Sequence, residues 1–135
     1  MSKISPERRA ALAVMDQHIT ALNAHDEEAL AQTLHFPHVR LSSAGLNIWP
    51  TQDSYFEDFR ARAGGAWHHS AFNDIQILAE SAEKVHLDAE IIRFDAQKAV
   101  LTRFRSLWVI TFEEGRWAAK MRSSFAAVKR FYAKV

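Results

Sequence analysis

The 135-residue chain contains no cysteine, which excludes disulfide staples, thiolate nucleophiles and cysteine-ligated zinc. It has no uncharged apolar run long enough to form a helical membrane span. Glycine is scarce, at four residues, and none sits in a glycine-rich loop that could cradle a phosphate. Neither sign of charge is in excess. The 17 basic and 16 acidic residues leave a formal charge of +1, so there is no electrostatic case for a nucleic-acid partner or an anionic membrane surface. Met1 to Arg9 carries no apolar run behind its charges. No signal peptide is therefore expected, and a cytoplasmic location is the default.

What is present is an ordinary globular composition, 48% hydrophobic and 24% charged, in a length that suits one domain over residues 1–135. The last third reads as three long strands, 84–95, 99–113 and 116–125, with Glu113-Glu114-Gly115 as the turn between the last two. In the middle strand the even positions Val100, Phe104, Trp108, Ile110 and Phe112 alternate with Leu101, Leu107 and Val109. Both faces are thus apolar, and helices are expected on one face and a second subunit on the other.

Ahead of these strands, Ser5-Pro6-Glu7 reads as a helix start, with Ser5 as cap. Leu12, Met15, Ile19 and Leu22, with Ala11 and Val14, form one stripe at helical spacing, and His18 lies inside it. Asn23 to Asp26 breaks that helix. Asp26 can cap a second one, expected to run to about Leu34 and to end at Phe36-Pro37. A strand is expected over 38–43 and a short return strand over 46–49. Thr51 then caps a third helix carrying Tyr55, Phe56 and Phe59, stopped by Gly64-Gly65. A further strand spans 67–79. The tail, 126–135, is basic and aromatic. Helices segregated against one face of a curved antiparallel sheet define an α+β fold.

This order resembles the nuclear transport factor 2-like superfamily, which includes SnoaL-like proteins and ketosteroid isomerase. The resemblance covers about residues 7–125. It is carried by Ala21-Leu22-Asn23-Ala24-His25-Asp26, His68-His69 with Asn73, Arg93-Phe94-Asp95, Glu114-Gly115-Arg116-Trp117 and the ending Arg122-Ser123-Ser124-Phe125. That ending resembles small bacterial members without an assigned reaction. The resemblance implies a cone-shaped barrel, built from a strongly curved, mostly antiparallel sheet with three helices on its concave side. It also implies a pocket between sheet and helices, and a homodimer through the convex face. Matching the first-helix motif puts His18 where ketosteroid isomerase has a tyrosine, Ser42 near its base aspartate and Trp108 near its second aspartate, so that proton-transfer set is missing.

Two histidines remain as acid/base candidates. His69 shares odd strand positions with Trp67, Ala71, Asn73, Ile75 and Ile77, which would place it on the cone wall; a one-residue bulge would put His68 there instead. His18 could face the same cavity from the helix. Imidazole titrates near neutrality and can serve as acid or base. Trp49, Tyr55, Trp67 and Trp108 are candidates to line a pocket for a flat apolar ligand, and Asn73 would share that wall. Arg40 and Arg122 stand on apolar strands; inside the cone they would pair with a ligand carboxylate, outside it with a second subunit. Arg93-Phe94-Asp95 has the spacing of an epoxide-hydrolase pair, although Asp95 also reads as a turn residue. His86, Asp88 and Glu90 share one strand face, which invites an acid/base reading, although three polar residues in a row more often mean a solvent face or dimer rim. The spacing of His35, His38, His68 and His69 is poor for metal, and neither metal nor organic cofactor is expected. The functional expectation is a small-molecule pocket with His-based isomerase, dehydratase or hydrolase chemistry on an apolar or aromatic compound. The alternative is a dimeric, non-catalytic binding or structural domain.

Overall fold

The computed structural model describes residues 4–62 and 65–125. Helix α1 spans Pro6–Asn23; the Ser5 hydroxyl accepts from the Arg8 N–H, and Pro6 takes the first turn, where no N–H is needed. Its buried face is Ala11, Val14, Met15, His18 and Ala21, spaced by three or four residues. Asp26 caps α2, Glu27–Gln32, by accepting from the Ala29 N–H. This helix is shorter than expected, because β1 already begins at Leu34 and runs to Ser42. Pro37 lies inside the strand instead of terminating a helix. Lacking an N–H, it falls where the β1–β6 ladder is interrupted, between Leu34 and Val39. β2 is Gly45–Trp49 and α3 is Gln52–Arg62. Thr51 opens α3, its hydroxyl accepting from the Ser54 N–H. The stop assigned to Gly64 and the tail 126–135 lie outside the described residues.

Strands β3 (His69–Glu80), β4 (Lys84–Phe94), β5 (Val100–Glu113) and β6 (Arg116–Ser124) form an antiparallel meander. Glu114 and Gly115, both at positive φ, make the tight turn between β5 and β6. β6 then pairs in parallel with β1, giving one open six-stranded sheet in the order β2-β1-β6-β5-β4-β3. This is the expected α+β fold, with the sheet curved rather than closed into a barrel. Val85, Leu87 and Ala89 of β4 and Trp108 and Ile110 of β5 are buried on the inner face against α1. Among the described residues, no helix is long and apolar enough to cross a membrane.

Strand β3 departs from simple alternation at its cavity end. The β3–β4 register shifts between Asn73 and Gln76, and Asp74 there has a φ of 54°. The extra residue exchanges the faces of the strand. Beyond it Ile75 and Ile77 pack on the core, as grouped from the sequence. Before it, the residues turned inward are Ser70 and Phe72, not His69, Ala71 and Asn73. The start of this edge strand is held by the last residue of α1. Asn23 Nδ2 donates to the Ser70 carbonyl and Oδ1 accepts from the Ser70 N–H, both at 2.8 Å, so the amide acts as a substitute ladder partner. Asn23→Ala is expected to lower the unfolding free energy by ~1–3 kcal/mol, since two backbone groups lose their partner. Urea unfolding of the two proteins measures it, and an unchanged midpoint would refute the clamp.

Candidate functional site

Between the inner face of the sheet and helices α1 and α3 lies a cavity of about 150 Å³. His18, Ile19 and Leu22 reach it from α1, Tyr55 and Phe59 from α3, and Trp67, Ser70 and Phe72 from β3 and the residues before it. The remaining wall is Ile91 and Arg93 of β4, Phe104 and Trp108 of β5, Arg40 of β1 and Arg122 of β6. The register explains the grouping. Ile91 is paired with Phe104 and Trp108 with Arg122, and directly paired residues project from the same face. The lining is aromatic and aliphatic, with three guanidinium groups and no carboxylate among the described residues.

His18 is 4% exposed. Its ring meets Trp108 edge-on with centroids 4.9 Å apart. Its Nδ1 lies 2.8 Å from Thr33 Oγ1, and that hydroxyl donates to the Leu30 carbonyl. With the hydroxyl proton committed, Nδ1–H is the donor and Nε2 keeps the lone pair. His38 is fully buried behind the cavity wall. Its Nδ1 donates to the Ala119 carbonyl, 3.0 Å, and its Nε2 accepts from Arg122 Nε, 3.1 Å. Arg122 Nη2 also donates to the Tyr55 hydroxyl, 3.3 Å, and the guanidinium stands 5.1 Å from the centre of the Trp108 ring. Burial, followed by the charge of Arg122, lowers the pKa of His18 to about 3. The same two causes, burial first, lower that of His38 to about 2 against a partial offset from its bond to Ala119. Both rings are therefore neutral at pH 7.

The candidates from the sequence separate into two groups. His18, Tyr55, Trp67, Trp108, Arg40 and Arg122 come together at the cavity. His69, Asn73 and Trp49 do not. His69 stands outside, stacked on Phe94 at 4.8 Å with Nδ1 3.0 Å from Nδ1 of the exposed His68. The bulge at Asp74 turns His69 outward, and His68, which precedes the first residue of β3, is exposed. Asn73 is on the outer face, donating to Glu90. Trp49 is buried behind Tyr55, ring centroids 5.1 Å apart, and donates to Asp58. Asp95 accepts from the Gln97 and Ala99 N–H groups and is a turn residue. Glu90 pairs with Arg103, and Asp88 with Arg105, which also holds Asp74. Among the described residues, no group of three or more histidine and acidic side chains gathers as a metal site. Sequence reasoning missed Phe72, Phe104, Ile91 and Ser70. The even-position row of β5 contained Phe104, but without the register nothing tied that row to the inside.

No protein-family model matches the chain, and no curated protein matches it in sequence. Solved structures do match in shape. A protein of unknown function with a cystatin-like fold from Nostoc punctiforme superposes with a TM-score of 0.76 at 9% identity, over 96% of this chain and 97% of its own. An NTF-2-like protein of unknown function from Shewanella oneidensis gives 0.72 at 13% identity, over 87% and 97%. A ketosteroid isomerase-like protein from Erwinia carotovora atroseptica gives 0.72 at 15% identity, over 91% and 98%. The chain therefore has the nuclear transport factor 2-like fold, and at these identities the likeness concerns the fold alone.

The buried imidazoles make stability depend on pH. Below the ordinary histidine pKa of 6.5 the unfolded chain takes up protons that the folded chain refuses. Stability is thus full above about pH 6.5 and falls as pH drops toward the folded values near 3 and 2. The expected slope between pH 6 and 5 approaches ~1.4 kcal/mol per pH unit for each histidine. Glu27, Glu80 and Glu113, whose pKa values are lowered from 4.5 by hydrogen bonds from Arg60, Ser5 and Thr111, add to this slope only toward the lower end of the window. Urea unfolding across this range measures the slope, and His18→Gln is expected to reduce it by about half. A flat profile would show that the rings are not held neutral.

Proposed function

We propose that this protein binds a small, flat, mainly apolar molecule in its cavity, and that it holds this ligand rather than transforming it. The observation that carries the reading is the cavity itself. Its volume of about 150 Å³ is that of an engineered apolar cavity that accepts benzene, and Phe72, Phe104, Trp108 and Tyr55 give it aromatic walls. Acid/base chemistry is the weaker reading. His69 is outside, and His18, with a pKa near 3, is a poor proton acceptor and carries no proton to give from Nε2 at neutral pH. Benzyl alcohol is expected to bind with a dissociation constant on the order of a millimolar, followed by chemical shifts of the indole N–H groups. Ile19→Trp, which fills the cavity from α1, should abolish binding while circular dichroism stays unchanged. Absence of any saturable shift in the wild-type protein would remove this reading.

We also propose a homodimer through the outer face of the sheet. Met121 pairs across β6 with Val39 and Val109, and Leu41 and Leu107 flank Ser123. These apolar residues form a row across β1, β6 and β5, with Met121 and Leu41 exposed. Sedimentation at micromolar concentration should give a species of twice the chain mass, and Met121→Asp should shift it toward the monomer. A wild-type protein sedimenting as a monomer would overturn this.

A further inference from the structure

We propose that the ligand carries a carboxylate and that Arg122 is its recognition group, so that the cavity selects single-ring aromatic acids. The inference rests on the small-molecule reading above and specifies the chemistry of its ligand. Arg122 differs from the other arginines whose ion pairs the structure resolves. Arg8, Arg60, Arg103 and Arg105 each pair with a carboxylate at the surface. Arg122 is half-buried, and its hydrogen bonds among the described residues go to His38 and Tyr55, both neutral. Those two bonds use two of the five N–H groups of a guanidinium. Its hydrogen bonding is thus partly satisfied while its charge has no counterion among the described residues. Removing a charge from water in part, without a counterion, is unfavourable, and a bound carboxylate supplies what is missing.

A second observation points the same way: among the described residues no carboxylate lines the cavity. Arg40 and Arg93 add two further guanidinium groups to the lining. The apolar walls disfavour a bare inorganic anion, and the volume restricts the apolar part to about one ring.

Benzoate and its neutral isostere benzamide separate the charge from the shape. Both are titrated at pH 7.5 into isotopically labelled wild-type protein and the Arg122→Gln variant, with the indole N–H resonances as the readout. Benzoate is expected to bind the wild type at least ~10-fold more tightly than benzamide, as for a charge-assisted hydrogen bond. In Arg122→Gln the two should differ by no more than about twofold. The wild-type comparison does not depend on the variant folding. Benzamide binding as well as or better than benzoate overturns this inference and leaves the pocket reading standing. A benzoate preference that survives in a folded Arg122→Gln overturns the role of Arg122. If neither compound binds, both readings fall. Inorganic sulfate displacing benzoate at equal concentration would show an anion site with no aromatic selectivity, which also overturns the inference.

Discussion

The inner wall depends on one guanidinium. Arg122 stands opposite Trp108 in the β5–β6 register and donates to His38 of β1 and Tyr55 of α3. It thereby links three strands and a helix at a single point. Because it donates to His38 Nε2, that nitrogen must keep its lone pair, and the bond from Nδ1 to Ala119 then fixes the tautomer. Protonating His38 would remove an acceptor and set two cations side by side in a buried place. The low pKa values of His38 and His18 follow from burial together with this nearby charge. Arg122 is thus held by its hydrogen bonds and has no counterion among the described residues.

The two faces of the sheet treat charge in opposite ways. On the outer face Glu90–Arg103 and Asp88–Arg105–Asp74 form pairs across neighbouring strands. Exposed pairs of this kind contribute ~0–1 kcal/mol each to stability, but they commit those carboxylates to partners on the side away from the cavity. On the inner face the paired positions carry Val85, Leu87, Trp108 and Ile110. The segregation follows from the two-residue period of β4 and β5, which keep their register from Lys84 to Arg93. Among the described residues, a cavity lining with guanidinium groups and no carboxylate is the consequence.

That same period explains what could be read from the sequence and what could not. The capped helix at Ser5-Pro6, the meander and the tight turn at Glu114-Gly115 all follow from local chemistry and alternation. His18 and Tyr55 were within reach because a stripe on a helix carries its own phase, whereas Arg122 stayed open between cavity and second subunit, and β6 has a register shift between Ala119 and Met121. β3 has no such phase. Asp74 at positive φ inserts one residue, and an aspartate in a polar stretch gives no warning of it. Ile75 and Ile77 were grouped correctly, and His69 was grouped with them across a break that reverses the faces. Pro37 misled in a similar way, since proline ends helices far more often than it sits within a strand. Phe72 and Ser70 were hidden by the same bulge that removed His69.

A fold shared with proteins as little as 9% identical leaves function to the side chains that line its interior. Here they form an unusual combination. His18 presents a single lone pair, because its other nitrogen is engaged with Thr33. Arg122 presents donors, and around it are Trp108, Phe72, Phe104 and Ile91. Proton transfer requires a group whose two protonation states are both accessible near the working pH, and burial beside a permanent cation denies that to the imidazole. Recognition requires the reverse, a fixed pattern of donors and acceptors that does not change as a ligand arrives. The burial that disables His18 as a base is what makes it dependable as an acceptor, so the geometry that weakens the catalytic reading strengthens the binding one.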